Sequence, residues 1–177
     1  MTGYLASLGH KRIAYLCGPK ENILERERFR GYRDGLRQAG LAFDPDLVFP
    51  GDYSLAAGAA AGRAIVARSV RPTAVFCSND ESAIGLMRAL ISAGIRVPQD
   101  ISVAGFDDIE FSAVVEPPLT TIRQPRRDLG RAGAQVLVDL LQGRPAPARL
   151  RLDTELVVRG STAAPPKPKP KRTRRLP

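Results

Sequence analysis

The chain has 177 residues, of which 44% are hydrophobic and 25% charged, and its formal net charge is +9. This length suits one or two compact domains, and the apolar fraction argues against a chain that is disordered throughout. Cys17 and Cys77 stand far apart without C-x-x-C spacing, which argues against a disulfide scaffold and favours reduced thiols in a cytoplasmic protein.

Short apolar runs alternate with helical patterns along the chain. The runs that predict strands are residues 12–17, 46–49, 73–77, 101–106 and 119–122, followed by an alternating run at 150–158. The patterns that predict helices are residues 25–39, 54–69, 80–94 and 125–142, with Ser54 capping the second and Asp80 or Ser78 capping the third. Strands that are apolar throughout indicate a parallel sheet covered on both faces. The sequence therefore predicts an α/β fold, a doubly wound parallel sheet with helices on both faces.

Positive charge is concentrated at the carboxyl end. Residues 165–177 contain six basic residues and no acidic residue, and proline alternates with the charges. Such a segment has nothing to bury, so we expect it to be extended and disordered. It either acts as a solubilising end or binds nucleic-acid phosphates loosely, with a steep salt dependence. The rest of the chain is only mildly basic and has no apolar run of the ~18 residues that a membrane span needs, so we expect no membrane partner.

In an open parallel sheet, ligands bind beyond the carboxyl ends of the strands. The residues that follow the predicted strands are polar: the loop from Gly18 to Arg26, Gly51-Asp52, residues 78–80 (SND) and residues 105–108 (GFDD). A carboxylate, a guanidinium and an amide beside an aromatic ring suit a polyhydroxylated ligand. Carboxylate and arginine can each form two hydrogen bonds with neighbouring hydroxyls, and an aromatic face covers the C–H side of a sugar ring.

Several of these residues also have a structural explanation. Arg28 is expected to form an internal ion pair, which favours Arg26 for the cleft. Spacing alone does not decide whether Asp107 contacts a ligand or has a structural role. The structural alternatives for the others are a helix N-cap for Asp80, a cap of the turn toward Phe111 for Asp108, its own turn for Asn79 and core packing for Phe76.

Motifs that would indicate an enzyme or a metal site do not occur. His10 is the only histidine, and no acidic or serine partner stands at a recognisable spacing from it. There is no His/Cys cluster with zinc spacing, no G-x-G-x-x-G fingerprint and no P-loop. We therefore expect no catalytic residue, no metal and no cofactor. A small α/β enzyme that uses Asp80 or Asp107 as general base is the alternative of a different class.

Five stretches carry a family resemblance. They are residues 8–19 (LGHKRIAYLCGP), 26–32 (RERFRGY), 71–80 (RPTAVFCSND), 95–108 (IRVPQDISVAGFDD) and 117–125 (PPLTTIRQP). With these motifs, residues 4–161 resemble the LacI/GalR (lac repressor) family of bacterial transcription regulators. The resemblance implies the second lobe of a two-lobed effector-binding region that is similar to periplasmic sugar-binding proteins. The family's amino-terminal helix-turn-helix and most of its first lobe have no counterpart in the sequence.

The resemblance also implies a division of the chain and a function. Residues 1–118 would form the carboxy-terminal lobe, 119–143 a crossing strand and helix of the first lobe, 144–164 a return strand, and 165–177 the tail. A small effector, a sugar or a similar metabolite, would bind between the lobes and control how a homodimer binds operator DNA through the helix-turn-helix. A stand-alone sugar-binding protein of the periplasmic type is the alternative.

Site residues follow from the matched motifs. Arg26, Asn79 and Asp107 match positions that contact effector. Phe76 matches an aromatic position that can line the pocket, and Gln124 lies at the crossing back to the first lobe. The family's dimer contact is matched by three apolar positions, for which ordinary core packing is an equally good explanation: Ile84, Met87 and Val115.

The predicted helix at 125–142 carries an apolar stripe that needs a partner. The stripe consists of Leu129, Val136, Leu137, Leu140 and Leu141. In the family this helix packs in the first lobe. Burial of each large apolar side chain is worth roughly 1.5–3 kcal/mol. We therefore expect this helix to fold back on its own lobe, to be covered by a second chain or to be poorly ordered.

Overall fold

The computed structural model describes residues 1–167, so most of the tail lies outside the described residues. These residues form six helices and six strands, with a 3₁₀ turn at Pro45–Leu47. They are α1 (Thr2–Ser7), β1 (Ile13–Leu16), α2 (Ile23–Gln38), β2 (Val48–Phe49), α3 (Leu55–Val66), β3 (Ala74–Cys77), α4 (Asp80–Ser92), β4 (Ser102–Ala104), α5 (Phe111–Val114), β5 (Thr121–Arg123), α6 (Arg126–Leu141) and β6 (Glu155–Val157).

The central sheet is parallel, with strand order β2-β1-β3-β4. Single parallel bridges from Ala104 to Thr120 and from Asp107 to Arg123 continue it toward β5, and β6 pairs antiparallel with β5. Strands β1, β3 and β4 are buried at every residue, because helices cover both faces of the sheet. The predicted doubly wound α/β fold is confirmed.

Two hydrophobic clusters lie on opposite faces of the sheet. On one face, alternate strand residues such as Leu16 and Val75 pack with Ile65 of α3 and Leu86 of α4. The other cluster contains Tyr15, Leu5 of α1, Tyr32 and Leu36 of α2, and Phe76. Period-two alternation within each strand divides its side chains between the two clusters. Both Cys17 and Cys77 are free thiols, and burial raises the pKa of each.

Helices α3 and α4 approach each other closely because glycines stand at their contact. An added Cβ on Gly58 would overlap the carbonyl oxygen of Ser82, and one on Gly85 would overlap that of Leu55. Only a residue without a side chain fits such backbone-to-backbone contacts. This packing fixes the amino-terminal end of α4 at the carboxyl edge of the sheet, where the candidate site lies.

Element ends differ from the predicted ones where side chains compete for backbone groups. Asn79, and neither Asp80 nor Ser78, caps α4, because its side chain accepts a hydrogen bond from the Ser82 amide. Ser54 caps α3 as predicted. The predicted strand at 46–49 begins as a 3₁₀ turn, with Asp44 accepting from the Asp46 amide.

Helix α6 does not fold back on its own lobe. It forms a regular helix, yet none of its residues is buried, and Leu141 is 78% exposed. The first of the three outcomes expected for this helix is therefore wrong, whereas coverage by a second chain and poor order stay predictions. No helix within residues 1–167 is long and apolar enough to cross a lipid bilayer.

Candidate functional site

A charged cluster occupies the carboxyl edge of the sheet, where β1, β3 and β4 end. Arg28 extends from α2 and donates from Nη1 to the carbonyl oxygen of Ser78 at 2.5 Å and from Nη2 to Oδ1 of Asp107 at 3.3 Å. Gln124, just after β5, donates from Nε2 to the same Asp107 oxygen at 2.5 Å. A guanidinium, a carboxylate and an amide from three separate segments therefore converge.

Aromatic rings flank the Arg28 guanidinium. Its central carbon lies 4.1 Å from the ring centroid of Phe106 and 5.7 Å from that of Tyr53. The Arg28 side chain is only 13% exposed, so the stacking and hydrogen bonds fix its orientation. This arrangement presents a planar, charged donor between two apolar faces.

Asp107 is held by its backbone as well as by its side chain. Its φ of 121° and the φ of 55° at Asp108 lie in the left-handed region, which side chains other than glycine rarely adopt and which concentrates at functional sites. Burial raises the pKa of Asp107, and the Arg28 charge and the Gln124 hydrogen bond oppose that rise. Asp107 is therefore a partly desolvated acceptor.

Asp108 has a structural role that differs from the expected turn cap. Its carboxylate accepts hydrogen bonds from Arg123 and Arg159, each at 2.6 Å. Burial pushes the pKa of Asp108 upward, but these bonds outweigh burial and leave the pKa below its ordinary value. Asp108 thus joins β5 to the carboxyl-terminal segment.

The structure places Arg28, and not Arg26, at this site. Residues two apart on a helix point about 200° away from each other, and α2 turns Glu25, Arg28 and Tyr32 toward the sheet. Arg26 points outward, is exposed, and donates to the carbonyl oxygen of Lys20 at 3.4 Å. The expected ion pair of Arg28 does form, but its partner is the candidate site residue Asp107.

Asn79 lies at the same edge, but its side chain is engaged by the protein. It accepts from the Ser82 amide and donates from Nδ2 to the carbonyl oxygen of Tyr53 at 2.8 Å. Phe76 is buried in the core, which agrees with the structural alternative of core packing for this residue. It also borders, with Arg28 and Phe106, a hollow of about 340 Å³ beside the cluster. Direct effector contact by either residue stays a prediction.

Asp80 is not a helix cap and is poorly suited to be a base. It is fully buried and accepts hydrogen bonds from the Ile109 amide, the Ser112 hydroxyl and the Thr121 hydroxyl. A carboxylate with both oxygens engaged and no access to solvent cannot reach a substrate proton. His10 is also buried, between Thr73 and the carbonyl oxygen of Ala163, and burial lowers its pKa.

Three residues of the charged cluster and its flanking rings were not predicted as site residues from the sequence: Arg28, Tyr53 and Phe106. The sequence favours an internal ion pair for Arg28, and Phe106 stands within the G-F-D-D motif without a signal of its own. Tyr53 directly follows Gly51-Asp52 at the carboxyl end of β2. Extending each strand-end segment by one residue would have included Tyr53.

The predicted dimer-contact residues divide between core and surface. Met87 is buried in the core, whereas Ile84 and Val115 are half-buried and pack against it. Together with the exposed Ile91 they border a surface hollow of about 300 Å³. Within residues 1–167 no group of three or more His, Cys, Asp or Glu side chains is arranged to hold a metal ion.

Comparison with known proteins places this architecture in a family. The family model of the periplasmic binding protein-like domain matches residues 2–162. The HTH-type transcriptional repressor CytR of Escherichia coli strain K12 is 42% identical over 164 residues, which cover 92% of this chain and 48% of that protein. The chain spans about half the length of the curated relatives it matches.

Two solved structures are similar over almost the same region. A complex of the transcriptional regulator CelR with cellobiose is 40% identical with a TM-score of 0.86, and the match covers 90% of this chain and 49% of that one. The lac repressor dimer bound to operator and the anti-inducer ONPF is 36% identical with a TM-score of 0.85, and the match covers 91% and 56%. The relatives are transcriptional regulators rather than enzymes. The chain therefore belongs to the family of periplasmic binding protein-like domains, and its relatives are LacI-type transcriptional regulators.

Proposed function

We propose that this chain is the effector-sensing part of a LacI-type transcriptional regulator whose full-length form binds operator DNA under ligand control. The observation that carries the proposal is the convergence of Arg28, Asp107 and Gln124 at the carboxyl edge of a parallel sheet, the place where open α/β sheets bind ligands. Recognition of DNA belongs to a helix-turn-helix outside these residues.

We infer that the effector carries neighbouring hydroxyl groups, as a sugar does. Arg28 and Gln124 both donate to Oδ1 of Asp107, so its Oδ2 can accept from a ligand. The Arg28 and Gln124 side chains lie beside it as donors. An ionised carboxylate accepts from two adjacent hydroxyls, and the Tyr53 and Phe106 rings suit the C–H faces of a sugar ring. Cellobiose in the CelR complex is a ligand of this chemical class.

Binding to this chain alone should be weak and selective for polyols. The chain carries one side of the proposed site, so only a few charge-assisted hydrogen bonds contribute, and we expect Kd values above ~0.1 mM. Saturation-transfer NMR and calorimetry against ribose, cellobiose and a set of nucleosides, with cyclohexanol as a control, measure this. Sub-micromolar binding would contradict the one-sided site, and equal binding of cyclohexanol would contradict polyol recognition.

We propose further that two copies associate through the surface formed by Ile84, Ile91 and Val115. These side chains are half-buried or exposed and surround an apolar hollow. The substitution Ile84→Arg should therefore produce a monomer, since it places a second cation beside Arg88. Light scattering checks this, with Val70→Arg as the control at an exposed valine elsewhere. A wild-type chain that is strictly monomeric at micromolar concentration contradicts the proposal.

A further inference from the structure

We propose that Glu25 is a positioning residue of the effector site, which fixes the Tyr53 ring as a wall beside Arg28 without touching the ligand itself. The proposal rests on the proposed function above. Glu25 is buried in the first turn of α2 and accepts hydrogen bonds from the hydroxyls of Tyr15 at 2.9 Å and Tyr53 at 3.2 Å. Its burial leaves no room for direct ligand contact.

A carboxylate is well suited to this position. The first turn of a helix has unpaired amide groups and a positive dipole end, which stabilise negative charge. An ionised carboxylate accepts hydrogen bonds but donates none, so it holds both phenol hydroxyls with their protons directed inward. Burial is the main reason that the pKa of Tyr53 rises to about 12, and the negative charge of Glu25 and its hydrogen bond to the phenol add to this rise.

Tyr53 is restrained at three points besides its hydroxyl. Its carbonyl oxygen accepts from Asn79, its φ of 70° is left-handed, and its ring lies where a Cβ on Gly18 would be. The backbone sets where the side chain begins, and Gly18 leaves space for the outer part of the ring at Cε1 and Cζ. The hydroxyl bond to Glu25 is the restraint at the far end of the ring.

Loss of that restraint would change the site through Tyr53, whereas the Tyr15 hydroxyl that Glu25 also holds belongs to the buried core beneath the site. Without Glu25, the phenol has no acceptor there and the ring is free to turn away from Arg28, which then keeps only Phe106 as an aromatic neighbour. The Arg28 hydrogen bonds to Ser78 and Asp107 do not involve Glu25. Glu25 therefore acts on ligand affinity through the Tyr53 hydroxyl.

A double-mutant cycle on the full chain tests this route, with ribose and cellobiose as the probes. Glu25→Ala and Tyr53→Phe should each weaken binding about threefold to tenfold, and the double variant should be no weaker than the weaker-binding single variant. Glu25→Gln, which keeps an acceptor and the side-chain volume, should retain most of the affinity. Tyr32→Phe removes a buried hydroxyl of the same cluster that binds Ile13 and not Glu25, and it should leave affinity unchanged. Losses that multiply in the double variant would overturn the proposal.

A second measurement needs no ligand. In chain labelled with 3-fluorotyrosine, the resonance identified by its loss in Tyr53→Phe should shift in Glu25→Ala and titrate at lower pH, while Tyr32→Phe leaves it in place. An unchanged Tyr53 resonance in Glu25→Ala would overturn the proposal. If neither sugar binds the wild-type chain, the sugar-sensing function fails in this test, whereas the fluorine resonance still decides whether Glu25 holds the ring.

Discussion

Arg28→Ala should weaken effector binding by about tenfold to a hundredfold, whereas Arg26→Ala should change it by less than about twofold. Hydrogen bonds that involve a charged group contribute about 1.5–3 kcal/mol each, and 1.4 kcal/mol corresponds to a factor of ten. Arg28 is the guanidinium that is 13% exposed and bound to Asp107. Arg26 is a matched control, since it lies on the same helix and carries the same side chain toward solvent.

The same variant should alter the pH dependence of the remaining binding. Burial raises the pKa of Asp107, and the positive charge of Arg28 is the largest influence that opposes this. Without Arg28 the pKa of Asp107 rises further, so the carboxylate becomes protonated at a higher pH as the solution is acidified. Binding that depends on ionised Asp107 should therefore decline at a higher pH in Arg28→Ala than in the wild-type chain.

Calorimetric titrations with the best-binding sugar at a series of pH values measure both effects. Arg28→Lys is a second variant that keeps the charge but loses the planar pair of donors, and it should fall between wild type and Arg28→Ala. If Arg26→Ala removes binding while Arg28→Ala keeps it, the ligand lies on the outer face of α2 and this assignment of the site is wrong.

The contrast between Arg26 and Arg28 separates the features that the sequence predicts from those that depend on packing. The apolar runs and helical patterns predicted the parallel sheet and its flanking helices, because burial on two faces leaves a direct signature in composition. They also placed Asp107 just beyond a strand end, whereas Gln124 was indicated only by the family resemblance. The choice between two arginines depends on the rotation of α2 about its axis, which is set by Glu25, Tyr32 and Leu36 packing on the sheet. A buried glutamate in that group is not expected from hydrophobic periodicity alone.

Other differences have a similar cause. Neither the capping role of Asn79 nor the interior position of Asp80 could be read from the S-N-D triplet, because all three residue types cap helices. The partners that decide between them, Ser82 in the next turn and Thr121 on β5, are identified only once the chain is folded. For α6 the apolar stripe was predicted correctly, but a pattern of side chains does not specify what covers it.

The largest loss of stability is expected for Asp80→Ala. Asp80 is fully buried at the start of α4 and receives hydrogen bonds from the Ile109 amide, the Ser112 hydroxyl and the Thr121 hydroxyl. Ser112 and Thr121 are themselves fully buried. Alanine would leave three donors without a partner, and removal of one member of a buried charged network costs about 3–5 kcal/mol.

Asp80→Asn separates the charge from the hydrogen bonds. An asparagine can direct its oxygen toward Ile109 and Ser112 and its amide group toward the Thr121 oxygen, so the contacts persist while the negative charge at the amino-terminal end of α4 is lost. We expect a cost of about 1–2 kcal/mol, because only the charge-assisted strength and the dipole interaction disappear.

Urea unfolding of the chain, followed by far-ultraviolet circular dichroism, measures both costs. Removal of the Asp80 side chain should also disturb the effector site. Asp80 holds the Ile109 amide, which is two residues from Asp107, and the backbone of Asp107 is in a left-handed conformation. Sugar affinity of the folded Asp80→Asn variant should therefore stay near that of the wild type, while Asp80→Ala binds more weakly wherever it remains folded. Asp80→Ala with a free energy of unfolding within 1 kcal/mol of the wild type would mean that this network is not what joins α4 to β5.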